Sequence, residues 1–254
     1  MTAEQAAPEP YVPEPMQFRK AWHALQALIA DPEDTKQVFT IMRALTGKSF
    51  YKQYLKFRAT KTGAKVLKEQ TELIDTLADR KTLRKLPEGT LGKTYIDFME
   101  QEGITAEGLA EVSEDSMTDF TDMDMKRYAM RSRDMHDLWH VVTGYGRDGL
   151  GEVCVVAFSY AQTKALGFAA IALMGAYDFT RKYPGNRIFR AAWEAYRTGK
   201  KADWFIAQDW EHLLTLPIEE VREKLNVRTP KVYLQHDEVI AATRPPEMPL
   251  QAAE

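Results

Sequence analysis

Cysteine is nearly absent from this chain of 254 residues, in which Cys154 is the single example. One cysteine forms no internal disulfide, and this fits a protein of a reducing compartment. Cys154 lies in the apolar run VCVVAF. We therefore predict a small core residue at this position rather than a catalytic nucleophile.

The chain also lacks an excess of positive charge and a long uninterrupted apolar run. It has 34 Lys and Arg against 37 Asp and Glu, for a formal net charge of −3, which argues against binding to nucleic acid. The most apolar region, residues 153–176, is interrupted by QTK at 162–164. Neither part approaches the ~20 apolar residues of a spanning helix, so we expect a core or lipid-contacting helix there.

The first fifteen residues, MTAEQAAPEPYVPEP, contain no Arg and no apolar run and are rich in Pro, Ala and Glu. This composition predicts a disordered arm over residues 1–15, and it argues against a secretory signal or a mitochondrial presequence. With 44% hydrophobic residues, the chain can bury a sizeable core in one large domain or two closely packed halves.

Apolar residues recur at helical spacing through most of the chain. One stripe, from Phe18 to Ile29, stops before Pro32, and a second ends at Gly47. Further helices are predicted over 49–58, 63–79, 91–102, 124–143, 150–179, 187–198 and, with a break at Pro217, 203–226. No convincing strand pattern appears before the tail. The sequence predicts a single all-α globular domain over residues 16–228, then a tail over 229–254 that is extended or partly disordered, with KVYLQ as a candidate short strand.

The segment HDLWHVVTGYGRDGLGE, from His136 to Glu152, contains two imidazoles and two carboxylates at a spacing that suits one divalent metal ion. On a helix, His136, Asp137 and His140 lie at about 0°, 100° and 40° around the axis and point from one side. Glu152 would lie about 18 Å further along a straight helix, so the chain must turn back to bring it near. Glycine supplies the backbone conformations for such a reversal, and three glycines lie in between: Gly144, Gly146 and Gly149.

This mixed nitrogen and oxygen ligand set predicts zinc first, or iron, manganese or cobalt, rather than copper(I) or an iron–sulfur cluster. The alternative is that these residues only cap and brace an ordinary helix. Two of the five histidines, however, stand one turn apart beside Asp137, among apolar neighbours that predict burial. A buried histidine pair beside a carboxylate needs a partner that offsets desolvation, which favours the metal site.

The residues just before the motif are the predicted catalytic pair, Arg133 and Asp134. Arg133 shares the helix face of the two histidines, so its guanidinium could hold a substrate carboxylate or brace Asp137. A surface ion pair with Asp134 or Asp137 is an equally good interpretation. Asp134 is a candidate for supporting a metal ligand through a hydrogen bond. The three remaining histidines are interpreted as surface residues: His23, His212 and His236.

The motif and its surroundings resemble the fourth Coq protein of ubiquinone (coenzyme Q) biosynthesis. HDLWH followed by eleven residues and Glu152 is similar to that family's HDxxH-x11-E motif, and RSRDMHD resembles its Arg-x-Arg-acidic-x-His-Asp. The likeness extends to LPEGTLGKTYIDF at 86–98, LGEVCVVAFSYAQT at 150–163 and the C-terminal helices at 195–227. It covers about residues 17–227 and leaves out the N-terminal arm and the tail.

The resemblance implies an all-α fold in which His136, Asp137, His140 and Glu152 hold a divalent metal, with a groove for a prenylated quinone precursor. It implies oxidative decarboxylation at ring carbon C1, in which hydroxyl replaces the carboxylate of a polyprenylated methoxy-hydroxybenzoate, as in a carbon–carbon lyase. The metal would stabilise negative charge as CO2 leaves. A membrane surface, other ubiquinone biosynthesis proteins and a second copy of the chain are the expected partners.

Three further expectations concern the prenyl tail, the oxidant and the compartment. The small side chains of ALGFAAIALMGA, at 165–176, could line the apolar groove for a prenyl chain, and tight helix packing is the alternative. The sequence shows no flavin, haem or nicotinamide fingerprint, so the oxidant is open. Because the presequence of eukaryotic members is absent, we expect a bacterial protein, cytoplasmic and peripheral at the inner membrane.

Three other classes of protein are alternatives to this interpretation. An HD-type phosphohydrolase needs a separate upstream His and a downstream Asp and has no use for His140 and Glu152 at these offsets. A ferritin-like di-iron enzyme needs two Glu-x-x-His pairs, whereas this chain has one Asp-x-x-His. The strongest alternative is a non-enzymatic, metal-stabilised scaffold that presents lipid precursors to partner enzymes, since it requires the same groove and ligands.

Overall fold

The computed structural model describes residues 13–31, 34–108 and 120–245, so most of the predicted N-terminal arm lies outside the described residues. Two 3₁₀ turns, at Phe205–Ala207 and Tyr233–Gln235, accompany the α-helices. The helices are α1 (Phe18–Ala30), α2 (Thr35–Ala44), α3 (Ser49–Arg58), α4 (Lys61–Glu69), α5 (Leu73–Ala78), α6 (Arg80–Arg84), α7 (Leu91–Gln101), α8 (Met123–Asp134), α9 (His136–Thr143), α10 (Gly149–Thr163), α11 (Leu166–Lys182), α12 (Ile188–Lys201), α13 (Trp210–Leu213), α14 (Ile218–Lys224) and α15 (Asp237–Thr243).

The fold is a single all-α domain, which confirms the predicted fold class. Over the described residues, the β-type pairing consists of one isolated bridge between Thr90 and Pro217. None of the helices described is both long enough and apolar enough to cross a membrane. The domain boundaries at residues 16 and 228 stay a prediction.

Several predicted helices are divided where a residue adopts a left-handed conformation. The helix predicted over 150–179 ends at Lys164, which has φ +59° and leaves α11 to pack back against α10. Likewise, Gln70 has φ +55° and separates α4 from α5 within the predicted 63–79 helix. Neither residue is Gly or Asn, the usual sequence signals for this conformation, so the breaks were not predicted.

Helix α10 is the central element of the half of the core that surrounds the site. It is buried on nearly every side and packs against α9, α11, α12 and the C-terminal α15. A helix that is apolar all round belongs in a core. Cys154 is fully buried on this helix, as the sequence predicted. On the facing side of α12, small residues allow the two backbones to approach closely: Ala191, Ala195 and Gly199.

The small residues of 165–176 are used for tight packing. A Cβ at Gly167 would lie 2.6 Å from the Met42 sulfur, and a Cβ at Gly175 would lie 2.7 Å from Val153. Helix α11 therefore contacts α2 on one side and α10 on the other. At these positions the structure supports the helix-packing alternative, and a lipid groove stays a prediction.

The tail differs from the predicted extended segment over residues 233–243, where a 3₁₀ turn and helix α15 form. Both pack against the core through Tyr233, which is 3% exposed, and Val239, which is fully buried. A helix of seven residues is not stable alone, so tertiary packing overrides the weak local signal. His236 is buried here, and its Nδ1 donates a hydrogen bond to the Val232 carbonyl at 2.8 Å. Its interpretation as a surface histidine is wrong, whereas His23 and His212 are exposed.

Candidate metal centre

Helix α9 carries both histidines of the motif, and its end is firmly held. Gly144 follows it with φ +76°, a conformation that glycine adopts without a Cβ clash, and its N–H donates to the His140 carbonyl at 2.8 Å. Arg222 of α14 donates to the carbonyls of Val142 and Val141 at 2.9 and 3.0 Å. These bonds satisfy carbonyl groups that a helix end otherwise leaves unpaired.

The chain then turns back into α10, as the glycine spacing predicted. Asp148 caps α10 by accepting a hydrogen bond from the Gly151 N–H at 3.0 Å. A Cβ at Gly151 would lie 2.0 Å from the Gly146 carbonyl oxygen, so the reversal has no room for a larger residue. Glu152 lies in the first turn of α10, where the partial positive charge of a helix N-terminus favours a carboxylate.

The reversal brings three of the four predicted ligands together. The Nε2 atoms of His136 and His140 are 3.2 Å apart. Glu152 Oε1 lies 3.5 Å from His140 Nε2, and its Oε2 lies 3.8 Å from His136 Nε2. Tetrahedral zinc with Zn–N distances of about 2.0–2.1 Å separates its ligand atoms by about 3.3 Å. The three side chains therefore fit a divalent ion.

A hydrogen bond fixes which nitrogen of His140 faces the site. Its Nδ1 lies 3.0 Å from the Tyr145 carbonyl oxygen and 3.2 Å from that of Gly146. Because a carbonyl only accepts, Nδ1 carries the proton, and the neutral ring keeps its lone pair on Nε2, which faces Glu152. Metal-binding histidines are commonly oriented in this way. The Phe98 ring of α7 stacks on the same imidazole with centroids 6.1 Å apart.

The electrostatics of the cluster favour a positive charge at its centre. Burial lowers the pKa of His136, and the adjacent His140 lowers it further. For His140, burial acts to lower the pKa, but the nearby carboxylates and the Tyr145 carbonyl outweigh burial and raise it. For Glu152, burial acts to raise the pKa, but the two imidazoles and Arg147 outweigh burial and lower it to about 2. Glu152 is therefore a carboxylate at neutral pH, as metal binding requires.

The cluster is closed on one side and open on the other. The His140 side chain is fully buried, whereas those of His136 and Glu152 are 32% and 40% exposed. A catalytic metal site keeps one coordination position accessible, while a structural site is closed by protein ligands. The exposure of this cluster is typical of the first kind.

Asp137, the fourth predicted ligand, is buried on α9 but lies outside the group whose ligand atoms are within 4.8 Å of one another. Its charge nevertheless acts to raise the pKa of both His136 and His140. Asp137 is rotated by about 100° from His136 on the helix, which accounts for its position to the side. Its role as a ligand stays a prediction.

The predicted catalytic pair forms an ion pair of its own. Arg133 donates from Nε and Nη2 to Asp134 Oδ1 at 2.8 and 2.6 Å, in an almost fully buried contact. The predicted ion pair of Arg133 with Asp134 is therefore present, but it is buried and not at the surface as expected. Burial raises the pKa of Asp134, although Arg133 acts in the opposite direction. The other oxygen, Oδ2, is buried and has no hydrogen-bond partner among the described residues.

Three functional candidates were missed in the sequence. Arg147, in the reversal, lowers the pKa of both His136 and Glu152 by its charge. Tyr95 of α7 is buried and its hydroxyl lacks a hydrogen-bond partner in the described structure. Tyr233 contacts the reversal from the tail. Only Arg147 had a usable signal, its place inside the motif, because Tyr95 and Tyr233 both lie far from the motif in sequence.

The architecture and the site define an all-α protein whose candidate metal centre combines two histidines and a glutamate from consecutive helices. A family model described as coenzyme Q (ubiquinone) biosynthesis protein Coq4 matches residues 17–231. The chain belongs to this family, which confirms the resemblance seen in the motif.

Curated relatives and a solved structure agree with this assignment. A ubiquinone biosynthesis protein coq4, mitochondrial, from Sclerotinia sclerotiorum is 30% identical over 66% of this chain and 58% of its own length. A mitochondrial COQ4 homolog from Anopheles gambiae is 28% identical over 79% of this chain and 70% of its own. Over the fungal relatives, the chain spans less than two thirds of the relative's own length. A crystal structure of a Nostoc punctiforme protein, described as a ubiquinone biosynthesis protein, has a TM-score of 0.63 at 24% identity and covers 85% of this chain and 100% of its own. It supports the fold.

The expected compartment is contradicted by these comparisons. Relatives from Sclerotinia, Anopheles and Aedes aegypti are all named as mitochondrial proteins, which conflicts with a bacterial protein at the cytoplasmic face of an inner membrane. The expectation rested on the composition of residues 1–15, and the composition of such a segment does not determine where a protein acts.

Removing a ligand should remove the metal. Because three side chains are argued to share one ion, His140→Ala or Glu152→Ala should lower bound divalent metal well below one per chain, while circular dichroism shows largely unchanged helix content. Elemental analysis of the purified proteins measures the stoichiometry. The matched control is His212→Ala, at an exposed histidine, which should keep the wild-type value. Full metal content in both site variants would contradict the site.

Proposed function

We propose that the protein acts in ubiquinone biosynthesis as a metal-dependent enzyme that replaces the ring carboxylate of a polyprenylated methoxy-hydroxybenzoate by hydroxyl. The observation that carries the proposal is the open cluster of His136, His140 and Glu152, with Arg147 beside it. A divalent metal bound there, zinc first, would act as a Lewis acid that stabilises negative charge on the ring as CO2 leaves. The family to which the chain belongs supports the pathway.

Arg147 is the residue that we propose to bind the departing carboxylate. It is half-buried and makes no hydrogen bond or ion pair with a described residue, so its guanidinium is free for a ligand. Its charge lowers the pKa of both His136 and Glu152, which supports a position near the cluster. A guanidinium binds a carboxylate through two parallel hydrogen bonds and thereby fixes its orientation. We therefore assign binding of the substrate carboxylate to Arg147 and not to Arg133, because Arg133 is already hydrogen-bonded to Asp134.

Asp134 and Tyr95 are proposed to face the polar substituents of the ring. Both side chains are buried, and Asp134 Oδ2 and the Tyr95 hydroxyl each lack a hydrogen-bond partner among the described residues. An unpaired buried polar group costs free energy, and such groups concentrate where a ligand or water completes the bonding. In this account Arg133 is a positioning residue that holds Asp134, and Asp134 contacts the substrate.

The exchange of groups requires an oxidant from outside the chain. The ring carbon loses its carboxylate as CO2 and gains a hydroxyl, which is a two-electron oxidation of the substrate. With dioxygen as oxidant, one oxygen atom enters the ring and the second leaves as water, for which a reductant supplies two electrons. Dioxygen and a reductant are therefore both included as co-substrates in the assay.

The decisive experiment is a single-turnover assay of the purified, metal-loaded protein under air, with a reductant and a prenylated benzoate labelled in its carboxyl group. Release of labelled CO2 together with formation of the ring hydroxyl supports the enzyme. Intact binding of the prenyl lipid without turnover in the metal-replete protein would instead favour the scaffold, which presents precursors to other biosynthesis proteins.

The two arginines should affect turnover without affecting metal. Arg147→Gln removes the carboxylate contact, and Arg133→Lys keeps the charge but loses the fork on Asp134, so each should lower CO2 release by one to two orders of magnitude, about 1.4–2.7 kcal/mol of transition-state stabilisation. Metal content should stay at the wild-type value. Arg190→Gln, on the exposed side of α12, is the control. Loss of metal in either variant would indicate that the substituted arginine orients the metal ligands and does not act on the substrate.

A membrane surface is the proposed source of the prenylated substrate. Helix α11 exposes Leu166, Leu173 and Tyr177. Leu173 and Tyr177 follow Leu166 by seven and eleven residues, so the three side chains share one face of the helix. Helix α12 exposes Phe189 and Trp193 one turn apart. Apolar and aromatic side chains on the surface of a helix are typical of proteins that bind in the plane of the lipid interface.

Vesicle binding should depend on these apolar side chains more than on charge. The double variant Leu173→Ala and Trp193→Ala removes side chains that are 61% and 59% exposed, so co-sedimentation with phosphatidylcholine vesicles should fall at least tenfold. Binding of the wild-type protein should persist at high salt, because screening weakens electrostatic attraction only. Met123→Ala, at an equally exposed residue of α8, is the control. Binding that salt abolishes would indicate attraction to anionic lipid instead.

A further inference from the structure

The segment 231–245 begins at residue 231, where the part of the chain that the family model covers ends. It is attached to the core at its start, where the Val232 N–H donates to Glu194 Oε2 of α12 at 2.8 Å. From there the segment runs past the N-terminus of α10, and α15 packs against that helix. The tail is thus placed beside the reversal that connects the two ligand-bearing helices.

Tyr233 connects this segment to the reversal on both sides of Arg147. The Gly146 N–H donates to the Tyr233 hydroxyl oxygen at 3.0 Å, and the same hydroxyl donates to the Asp148 carboxylate. The Tyr233 ring also meets the Tyr145 ring edge-on, with centroids 5.3 Å apart. Burial and the bond to Asp148 raise the pKa of Tyr233, so the phenol stays protonated and remains a donor.

Thr243 makes a second, independent connection. Its Oγ1 accepts a hydrogen bond from the Gly149 N–H at 3.0 Å. Gly149 is the first residue of α10, and the first amide groups of a helix have no partner within the helix. Thr243 therefore caps the helix from which Glu152 projects three residues later.

Tyr233 and Thr243 each bind a backbone group close to a candidate metal ligand: Tyr233 near His140, and Thr243 near Glu152. The carbonyls of Tyr145 and Gly146 hold the His140 ring, and the turn that Tyr233 fixes contains both of them. We propose that residues 231–245 form a C-terminal clamp that positions His140 and Glu152 for metal binding. This inference rests on the proposed metal site. Tyr233 and Thr243 are positioning residues, since they act through the reversal and touch no ligand atom.

Two substitutions remove the side-chain hydrogen bonds that join the clamp to the reversal. Tyr233→Phe takes away the hydroxyl between Gly146 and Asp148, and Thr243→Val takes away the cap on Gly149. The matched control for the first is Tyr196→Phe, at a ring that stacks on Tyr160 and Trp193. The control for the second is Thr180→Val. Both threonines donate to the carbonyl four residues earlier, at 2.7 Å, but only Thr243 also accepts from the reversal.

Binding of Co²⁺ is the readout, measured by competition with a chelator, and the visible absorption of the bound ion reports its ligand geometry. Residues that orient metal ligands typically contribute 10–100-fold to metal affinity. We expect each clamp variant to raise the Co²⁺ dissociation constant by about tenfold or more and to shift the absorption bands. Each control should stay within about twofold of wild type. Urea unfolding of the metal-free proteins separates this effect from lost stability.

The outcomes distinguish the clamp from the site itself. If the clamp variants lose stability but bind Co²⁺ with wild-type affinity and spectrum, the segment only holds the fold together, and the clamp is refuted while the metal site stands. If wild-type protein does not bind Co²⁺, or binds it without need of His140 and Glu152, the proposed metal site itself fails. Should Tyr233→Phe not fold, Thr243→Val alone decides between these outcomes.

Discussion

The hydrogen bond from His140 Nδ1 to the Tyr145 carbonyl is the interaction on which the candidate site depends. It joins the first ligand helix to the reversal that leads into the second, and it selects the tautomer whose Nε2 is free to bind a metal. Gly144 adopts the positive φ of the turn, and Gly151 allows the first turn of α10 to approach the Gly146 carbonyl closely. The Tyr145 carbonyl therefore fixes the direction in which His140 Nε2 points toward Glu152.

The three side chains of the candidate site differ in burial, and this leaves one side of the site accessible to a substrate. His140 is enclosed and its orientation is fixed, whereas His136 and Glu152 lie at the accessible edge, and the charge of Arg147 lowers the pKa of both. An enclosed ligand provides rigidity, and an accessible edge leaves room for a substrate oxygen. The surrounding carboxylates raise the pKa of His140, so a proton and a metal ion would compete for Nε2 of this ring.

The sequence predicted what is local and missed what is distant. Histidines one turn apart and glycines before Glu152 are local signals, and they correctly predicted that the chain reverses and brings His136, His140 and Glu152 together. Asp137, which was predicted as the fourth ligand, lies outside this group. Tyr233 bonds to Gly146 across 87 residues, and no pattern near either residue indicates this. Likewise, the short helix α15 forms where Val239 is buried against the core, although the sequence predicted an extended or partly disordered tail there. Long-range packing decided these elements.

X-ray absorption at the metal edge of the loaded protein tests the central claim most directly, because it counts and identifies the ligand atoms. The account predicts a first shell of nitrogen and oxygen only, with the outer-shell scattering of two imidazoles, from His136 and His140. Sulfur in the first shell, or scattering from fewer than two imidazoles, would contradict the site described here.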